Sequence, residues 1–233
     1  MTITPEQRTY ARLAGILFLL NYVLQGAGDS VTIIARGGET FAETARYAAD
    51  HALLWRVCLL SVGLAWIDIG ILAFALYVVL QPANRRLAQL ALVLRLGASF
   101  VGAGSLMFRV AQARLYSASA EDLFTTEQLH TLSAVIQRGA NAGVWTSWLL
   151  MDAGSLLFFV LFLRSGYLPR ALAGFGIVTS ALFIPVVAVM FVFPERSNGL
   201  KVLGLPMFLA EVVTALWLLI RGLQPRATEE ARA

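Results

Sequence analysis

The stretch that decides the fold is residues 57–80, which read VCLLSVGLAWIDIGILAFALYVVL. Asp68 is its only charged residue, and the run exceeds the roughly 18 apolar residues that are typical of a membrane-spanning helix. Residues 171–193 form a second run of this kind, which contains no charged residue at all. These two runs predict an integral membrane protein.

The composition of the whole chain supports the same fold class. Of its 233 residues, 58% are hydrophobic and 14% are charged, whereas soluble domains have about 45–50% apolar and about 25% charged residues. The net charge of +4 comes from arginines at helix ends, where membrane topology explains them better than a nucleic-acid partner does. We therefore expect the lipid bilayer as a partner and no nucleic acid. The single cysteine, Cys58, excludes an intrachain disulfide.

Helix-breaking residues divide the chain into six predicted spans, which form one all-α transmembrane domain over residues 1–233. The breakers lie at residues 81–84, 165–169 and 193–199. The predicted spans are about 9–34, 52–80, 86–115, 139–163, 170–193 and 200–221. The segments from Glu39 to Asp50 and from Ala120 to Gln137 are predicted to form two short helices outside the membrane.

The arginines of the shortest loops orient the predicted bundle. Arg85 and Arg86 lie in one such loop, and Arg164 and Arg170 flank another. Positive residues in short loops favour the cytoplasmic side of a membrane. Since the number of spans is even, this orientation places both the N-terminus and the C-terminus in the cytoplasm.

Ionisable residues inside the spans mark a candidate site. Each charge at the bilayer centre costs about 2.5–3.5 kcal/mol on insertion scales, so such residues usually face the interior of a bundle. At about 1.5 Å of rise per residue, five polar groups lie about 14–18 Å from the cytoplasmic ends of five different helices. These groups belong to Asn21, Asp68, Arg95, Asp152 and Glu211. Three carboxylates around one arginine require protonation of an acid, or the presence of water, a cation or a basic ligand.

Polar residues at helical spacing continue from this charged layer toward the outside on four helices. Toward the cytoplasm the same helix faces become apolar, as at Phe159, Phe162 and Leu218. The pattern predicts a water-accessible cavity that opens to the outside above the charged layer. The predicted ligand-binding residues are Asn21, Asp68, Arg95, Arg109, Trp148, Asp152 and Glu211.

Other interpretations of these residues stay open. The layer is also consistent with a buried polar network that only fixes helix packing. Arg109 is near the outer interface, where its side chain could simply extend to water, and Trp148 could serve packing alone. The acids could also act as general acid and base on a lipid. The sequence has no metal-binding, nucleotide-binding or nucleophile motif, so we expect no catalytic residue, cofactor or metal. A homo-oligomer is also possible.

Several stretches resemble a bacterial membrane family filed as domain of unknown function 4386. They are residues 11–15 (ARLAG), 76–85 (LYVVLQPANR), 94–96 (LRL), 163–170 (LRSGYLPR) and 210–217 (AEVVTALW). The resemblance implies a multi-pass protein of the bacterial inner membrane and implies no activity. Asp68, Arg95 and Glu211 match positions that are typically polar or charged in this family. Asp152 has no clear counterpart, and Gln81 stands where a basic residue is common.

Overall fold

The computed structural model describes residues 3–35, 41–116 and 123–224, and these residues form helices and no strand. Six helical stretches are long and apolar enough to cross a membrane, which confirms the predicted all-α bundle of six spans. The sixth stretch, Lys201–Ile220, consists of a 3-10 turn (Lys201–Gly204) and the α-helix that follows it. In chain order the helices are α1 (Pro5–Ala35), α2 (Phe41–Asp50), α3 (Ala52–Leu80), α4 (Arg85–Leu115), α5 (Thr126–Ser165), α6 (Arg170–Val192), the single turn α7 (Ser197–Leu200) and α8 (Leu205–Ile220).

Local capping chemistry sets the ends of the central helices. The Asn84 side chain accepts a hydrogen bond from the Leu87 backbone N–H at 3.0 Å and so begins α4. Thr125 and Gln128 form a reciprocal capping box at the start of α5. Gly166 ends α5 in the left-handed conformation, with a φ of 71°, which glycine adopts without steric cost. These residues fix where α4 and α5 begin and where α5 ends.

The two short helices predicted outside the membrane are confirmed in outline. The first is α2. The second, over residues 126–137, does not stop before the fourth span but continues into it, so α5 has 40 residues. The helix contains no proline that would interrupt it. Gly139 leaves room for the Phe108 ring, because a Cβ at position 139 would lie 3.1 Å from that ring. At about 60 Å, α5 is twice as long as the roughly 30 Å hydrocarbon core and projects beyond it.

The six spans form a closed ring in which each helix packs on two neighbours. The order around the ring is α1, α3, α4, α5, α6 and α8, and α8 packs back on α1. Gly15 permits this closure, because a Cβ at that position would lie 2.8 Å from the Ala215 carbonyl oxygen. We call the end of the ring that carries both ends of the chain the terminal face, and the opposite end the far face.

Apolar side chains fill the interior of the ring toward the terminal face. This large core includes Phe18, Leu72, Phe158, Phe162 and Leu218, as the apolar faces in the sequence predicted. Toward the far face the core divides into two smaller clusters. Trp145, Phe183, Val187 and Met190 lie between α5 and α6, and Val62, Trp66 and Ile69 lie on α3. The change from one core to two clusters occurs at the level of the buried charges.

The outer surface of the ring is strongly apolar. Large side chains such as Phe100, Met107 and Leu182 are more than half exposed. Exposed apolar area of this extent is unfavourable in water but suits contact with lipid tails. The described residues therefore form a multi-pass membrane protein that is in contact with the bilayer.

Candidate functional site

Glu211 on α8 is the centre of a polar cluster inside the ring. Its Oε1 accepts hydrogen bonds from Arg95 Nη2 at 2.9 Å and from Ser155 Oγ at 3.2 Å. Its Oε2 accepts a hydrogen bond from the Tyr22 hydroxyl at 2.5 Å. The donors come from α4, α5 and α1, so one carboxylate links four of the six spans.

Asp152 on α5 belongs to the same cluster, and its charged neighbours are Glu211 and Arg95. Asp152 is 0% exposed, and neither of its carboxylate oxygens has a hydrogen-bond partner among the described residues. The Arg95 Nε atom is likewise buried without a partner there. Burying an ionised carboxylate without compensation is very unfavourable. Asp152 therefore requires a proton or a further donor.

We call Tyr22, Arg95, Asp152, Ser155 and Glu211 the Glu211 cluster. One guanidinium and two carboxylates give it a formal charge of +1 − 2 = −1 with all three groups ionised. Its members are buried or half-buried, with Arg95 only 2% and Glu211 only 5% exposed. In a low-dielectric interior this charge strongly favours whatever supplies a compensating positive charge.

A glycine on α5 allows Arg95 to reach Glu211. A Cβ at Gly154 would lie 2.8 Å from Arg95 Cγ and 3.2 Å from the Ala91 carbonyl oxygen. Both distances are shorter than ordinary van der Waals contacts, so the Arg95 side chain passes across α5 only because residue 154 has no side chain. The close packing of α4 on α5 thus positions the guanidinium.

Asp68 lies apart from this cluster. It is buried on α3 beside the side-chain amide of Asn21, and Asn21 Nδ2 donates to the Ala65 carbonyl oxygen at 2.9 Å. Neither Asp68 oxygen has a hydrogen bond of ordinary geometry within the described residues. The sequence predicted three carboxylates around one arginine, whereas the structure brings two of them to Arg95 and places the third with Asn21, between α1 and α3.

The two remaining predicted site residues differ in position. Trp148 is half-buried one helical turn from Asp152 toward the far face, and it packs against both clusters there. Arg109 is also half-buried but lies about 21 Å along α4 from Arg95. Trp148 therefore adjoins the Glu211 cluster, and Arg109 does not.

Sequence reasoning missed Tyr22 and Ser155 as members of the site. Ser155 lies three residues from Asp152 in α5, on the same face of the helix, but the sequence did not indicate a partner for its hydroxyl. Tyr22 follows Asn21, and the two residues point to different neighbours because α1 packs on α3 and on α8. The position of Tyr22 in the middle of the first span could have identified it, because tyrosine in membrane proteins usually lies at the membrane interface.

Within the described ranges, no three His, Cys, Asp or Glu side chains are grouped as a metal site would require. No curated protein and no solved structure matches this chain. Residues 13–222 match the model of a protein family described as domain of unknown function (DUF4386). That match covers nearly the whole transmembrane ring, including all five residues of the Glu211 cluster and Asp68. The chain therefore belongs to the DUF4386 family.

Proposed function

We propose that this protein binds a small polar or amphiphilic molecule, as a receptor, sensor or carrier, in a cavity floored by the Glu211 cluster. The observation that carries the proposal is Asp152, whose two buried oxygens have no partner among the described residues. A group used only for packing would be hydrogen-bonded, since an orphaned buried carboxylate destabilises the fold. A ligand would supply the missing donors, and because Asp152 is fully buried, its entry requires the helices around the Glu211 cluster to move apart.

The walls of the ring support access from the far face. The cluster lies where the single apolar core ends. Above it, Asn141 and Trp148 share the Asp152 face of α5 and keep part of their surface accessible. The spans are also unequal in length, because α5 has 40 residues whereas α6 has 23 and the stretch that ends in α8, Lys201–Ile220, has 20.

For the membrane and the orientation, we infer a bacterial inner membrane with both chain ends in the cytoplasm. The supporting residues are the exposed arginines of two short connections at the terminal face, Arg85, Arg86, Arg164 and Arg170. Positive charge in short loops favours the cytoplasmic side. The proposed cavity then opens to the outside of the cell.

Native mass spectrometry of the purified protein tests the binding proposal. We expect a small molecule to remain bound to the wild type and to be lost from Glu211→Gln and Arg95→Ala. Glu195→Gln is the matched control, because Glu195 is an exposed acid on the connection between α6 and α8. An adduct that survives in both cluster variants would contradict binding at this site.

A packing role is the second candidate, and specific contacts favour it. Ser61 Oγ donates to the Leu24 carbonyl oxygen at 2.8 Å, and Ser147 Oγ donates to the Ala98 carbonyl oxygen at 2.7 Å. Each bond joins two neighbouring spans, as polar side chains commonly do in membranes. If the wild type retains no molecule and both cluster variants are merely less stable, the cluster belongs to this packing network.

A further inference from the structure

We propose that the ligand of the Glu211 cluster is an organic cation, a protonated amine whose N–H groups donate to the carboxylate of Asp152. This inference rests on the proposed function and names the chemical class of its ligand. It follows from which groups in the cluster are already paired, from the donors that an amine supplies, and from the aromatic side chain beside Asp152.

The pairing inside the cluster leaves Asp152 as the group that receives the ligand. Glu211 accepts three hydrogen bonds and neutralises Arg95 across a 2.9 Å ion pair. Asp152 has two oxygens buried without a partner in the described structure. An anionic ligand would find only Arg95 Nε as an unpaired donor in the cluster and would add to the negative charge. A cation instead neutralises the formal charge of −1 and leaves that pair intact.

An ammonium group suits the two unpaired Asp152 oxygens better than a hard divalent metal ion does. It carries up to three N–H donors on one positive centre. These donors can reach the two Asp152 oxygens, which lack hydrogen-bond partners among the described residues. Hard metal ions require six or more oxygen ligands for Ca²⁺, or near-octahedral geometry for Mg²⁺. No group of three metal-binding side chains occurs in the part of the chain that the structure describes.

Trp148 supplies the second recognition element. It lies one helical turn from Asp152 on the same face of α5 and packs against Trp66 and its neighbours on one side and against Phe183 on the other. Held between these two clusters, Trp148 is half-buried, so part of its indole stays accessible. The face of an indole attracts organic cations, and the attraction increases when water is excluded. A carboxylate with an adjacent tryptophan is suited to an alkylammonium ion.

Three probes of nearly equal shape and different charge test the proposal. They are cyclohexylmethylammonium (cation), cyclohexylmethanol (neutral) and cyclohexanecarboxylate (anion). Each is titrated into the purified full-length protein in detergent, and tryptophan fluorescence and the melting temperature are recorded. We expect the ammonium probe to quench fluorescence saturably and to raise the melting temperature, and the other two to have at least tenfold weaker effects.

Asp152→Asn is the decisive variant. It should weaken binding of the ammonium probe by roughly 30-fold or more, as expected when one partner of a buried charge pair is neutralised. Without ligand it should be at least as stable as the wild type, because it removes an uncompensated buried charge. If the ligand-free variant is as stable as the wild type, it is folded, and weaker binding then reflects loss of the binding site. Trp148→Phe should weaken binding less, since the ring is retained.

Three outcomes would overturn the inference. They are equal binding of the neutral probe, unchanged binding of the ammonium probe to Asp152→Asn, and no response of the wild type to the ammonium probe. Native mass spectrometry distinguishes these failures from failure of the proposed function. If the wild type retains a neutral or anionic molecule that Glu211→Gln loses, the proposed binding function is supported, and only the assignment of the ligand as a cation is wrong.

Discussion

At the scale of the residue, the Arg95–Glu211 pair joins α4 to α8 by a buried ion pair of 2.9 Å. Replacing Arg95 leaves two buried carboxylates without a positive charge, and replacing Glu211 removes the acceptor of the Arg95 Nη2 hydrogen bond. Breaking a buried ion pair in this way costs about 3–5 kcal/mol. We therefore expect Arg95→Met and Glu211→Met each to lower the stability strongly, and the double variant to lose less than the sum of the two. Thermal unfolding in detergent measures this cycle.

The control for that cycle is Arg164→Met, which removes an exposed arginine at the terminal face. It should change the melting temperature little, because exposed charges contribute at most about 1 kcal/mol. Strictly additive losses in the double variant would contradict a direct ion pair between Arg95 and Glu211.

The contribution of the Tyr22 hydroxyl to stability can also be measured separately. Tyr22→Phe removes only the oxygen that donates to Glu211 Oε2 and keeps the edge-to-face packing of the ring on Phe208. We expect a loss of about 1–2 kcal/mol, the range for a hydrogen bond to a charged group between membrane helices. Tyr77→Phe is the matched control, since its ring packs on Phe74 away from the cluster. Equal melting temperatures for the two variants would exclude a stabilising bond at Tyr22.

At the scale of the element, the close packing of α4 on α5 depends on Gly154. The Gly154→Ala variant places a methyl group against the stem of Arg95 and the Ala91 carbonyl, so the two helices or the guanidinium must shift. Overpacking of this kind costs about 1–3 kcal/mol, which exceeds the roughly 1 kcal/mol that alanine gains over glycine in a helix. We expect a net loss of stability in thermal unfolding, together with weaker ligand retention.

Gly174→Ala is the matched control for that variant. Gly174 is a helical glycine in α6, and a Cβ there would meet nothing within 4 Å. This variant should be neutral or slightly stabilising, because only helix propensity changes. If both alanine variants were stabilising, the approach of α4 to α5 would not require glycine at position 154.

At the scale of the whole molecule, the ring predicts which residues are reachable from each side of the membrane. Cys58 is buried and can be replaced by alanine to give a cysteine-free chain. Thr126, at the start of α5, and Ala171, in the first turn of α6, are exposed at opposite faces. In that background, a membrane-impermeant maleimide should label Thr126→Cys in intact cells and Ala171→Cys only after permeabilisation. The reverse pattern would invert the proposed orientation.

The same ring shows how far the sequence determines the molecule. Apolar run length is a local property, so residues 57–80 and 171–193 were sufficient to predict spans, and all six spans are confirmed. The cost of burying charge is also local to each helix, and it predicted that Asp68, Arg95, Asp152 and Glu211 face inward, where all four are buried. Whether they bind a ligand stays a prediction.

Only the tertiary structure decided how these charges combine. Depth along a helix can be counted from the sequence, but rotation about the helix axis and the order of the helices around the ring cannot. The closure of α8 on α1 brings Tyr22 to Glu211, and Gly154 lets Arg95 cross α5 to the same carboxylate. Asp68 is at a similar depth but lies beside Asn21, because α3 packs between α1 and α4. The local sequence determined the depth of each charged residue along its helix. Helix packing across the interior of the ring determined its hydrogen-bond and ion-pair partners.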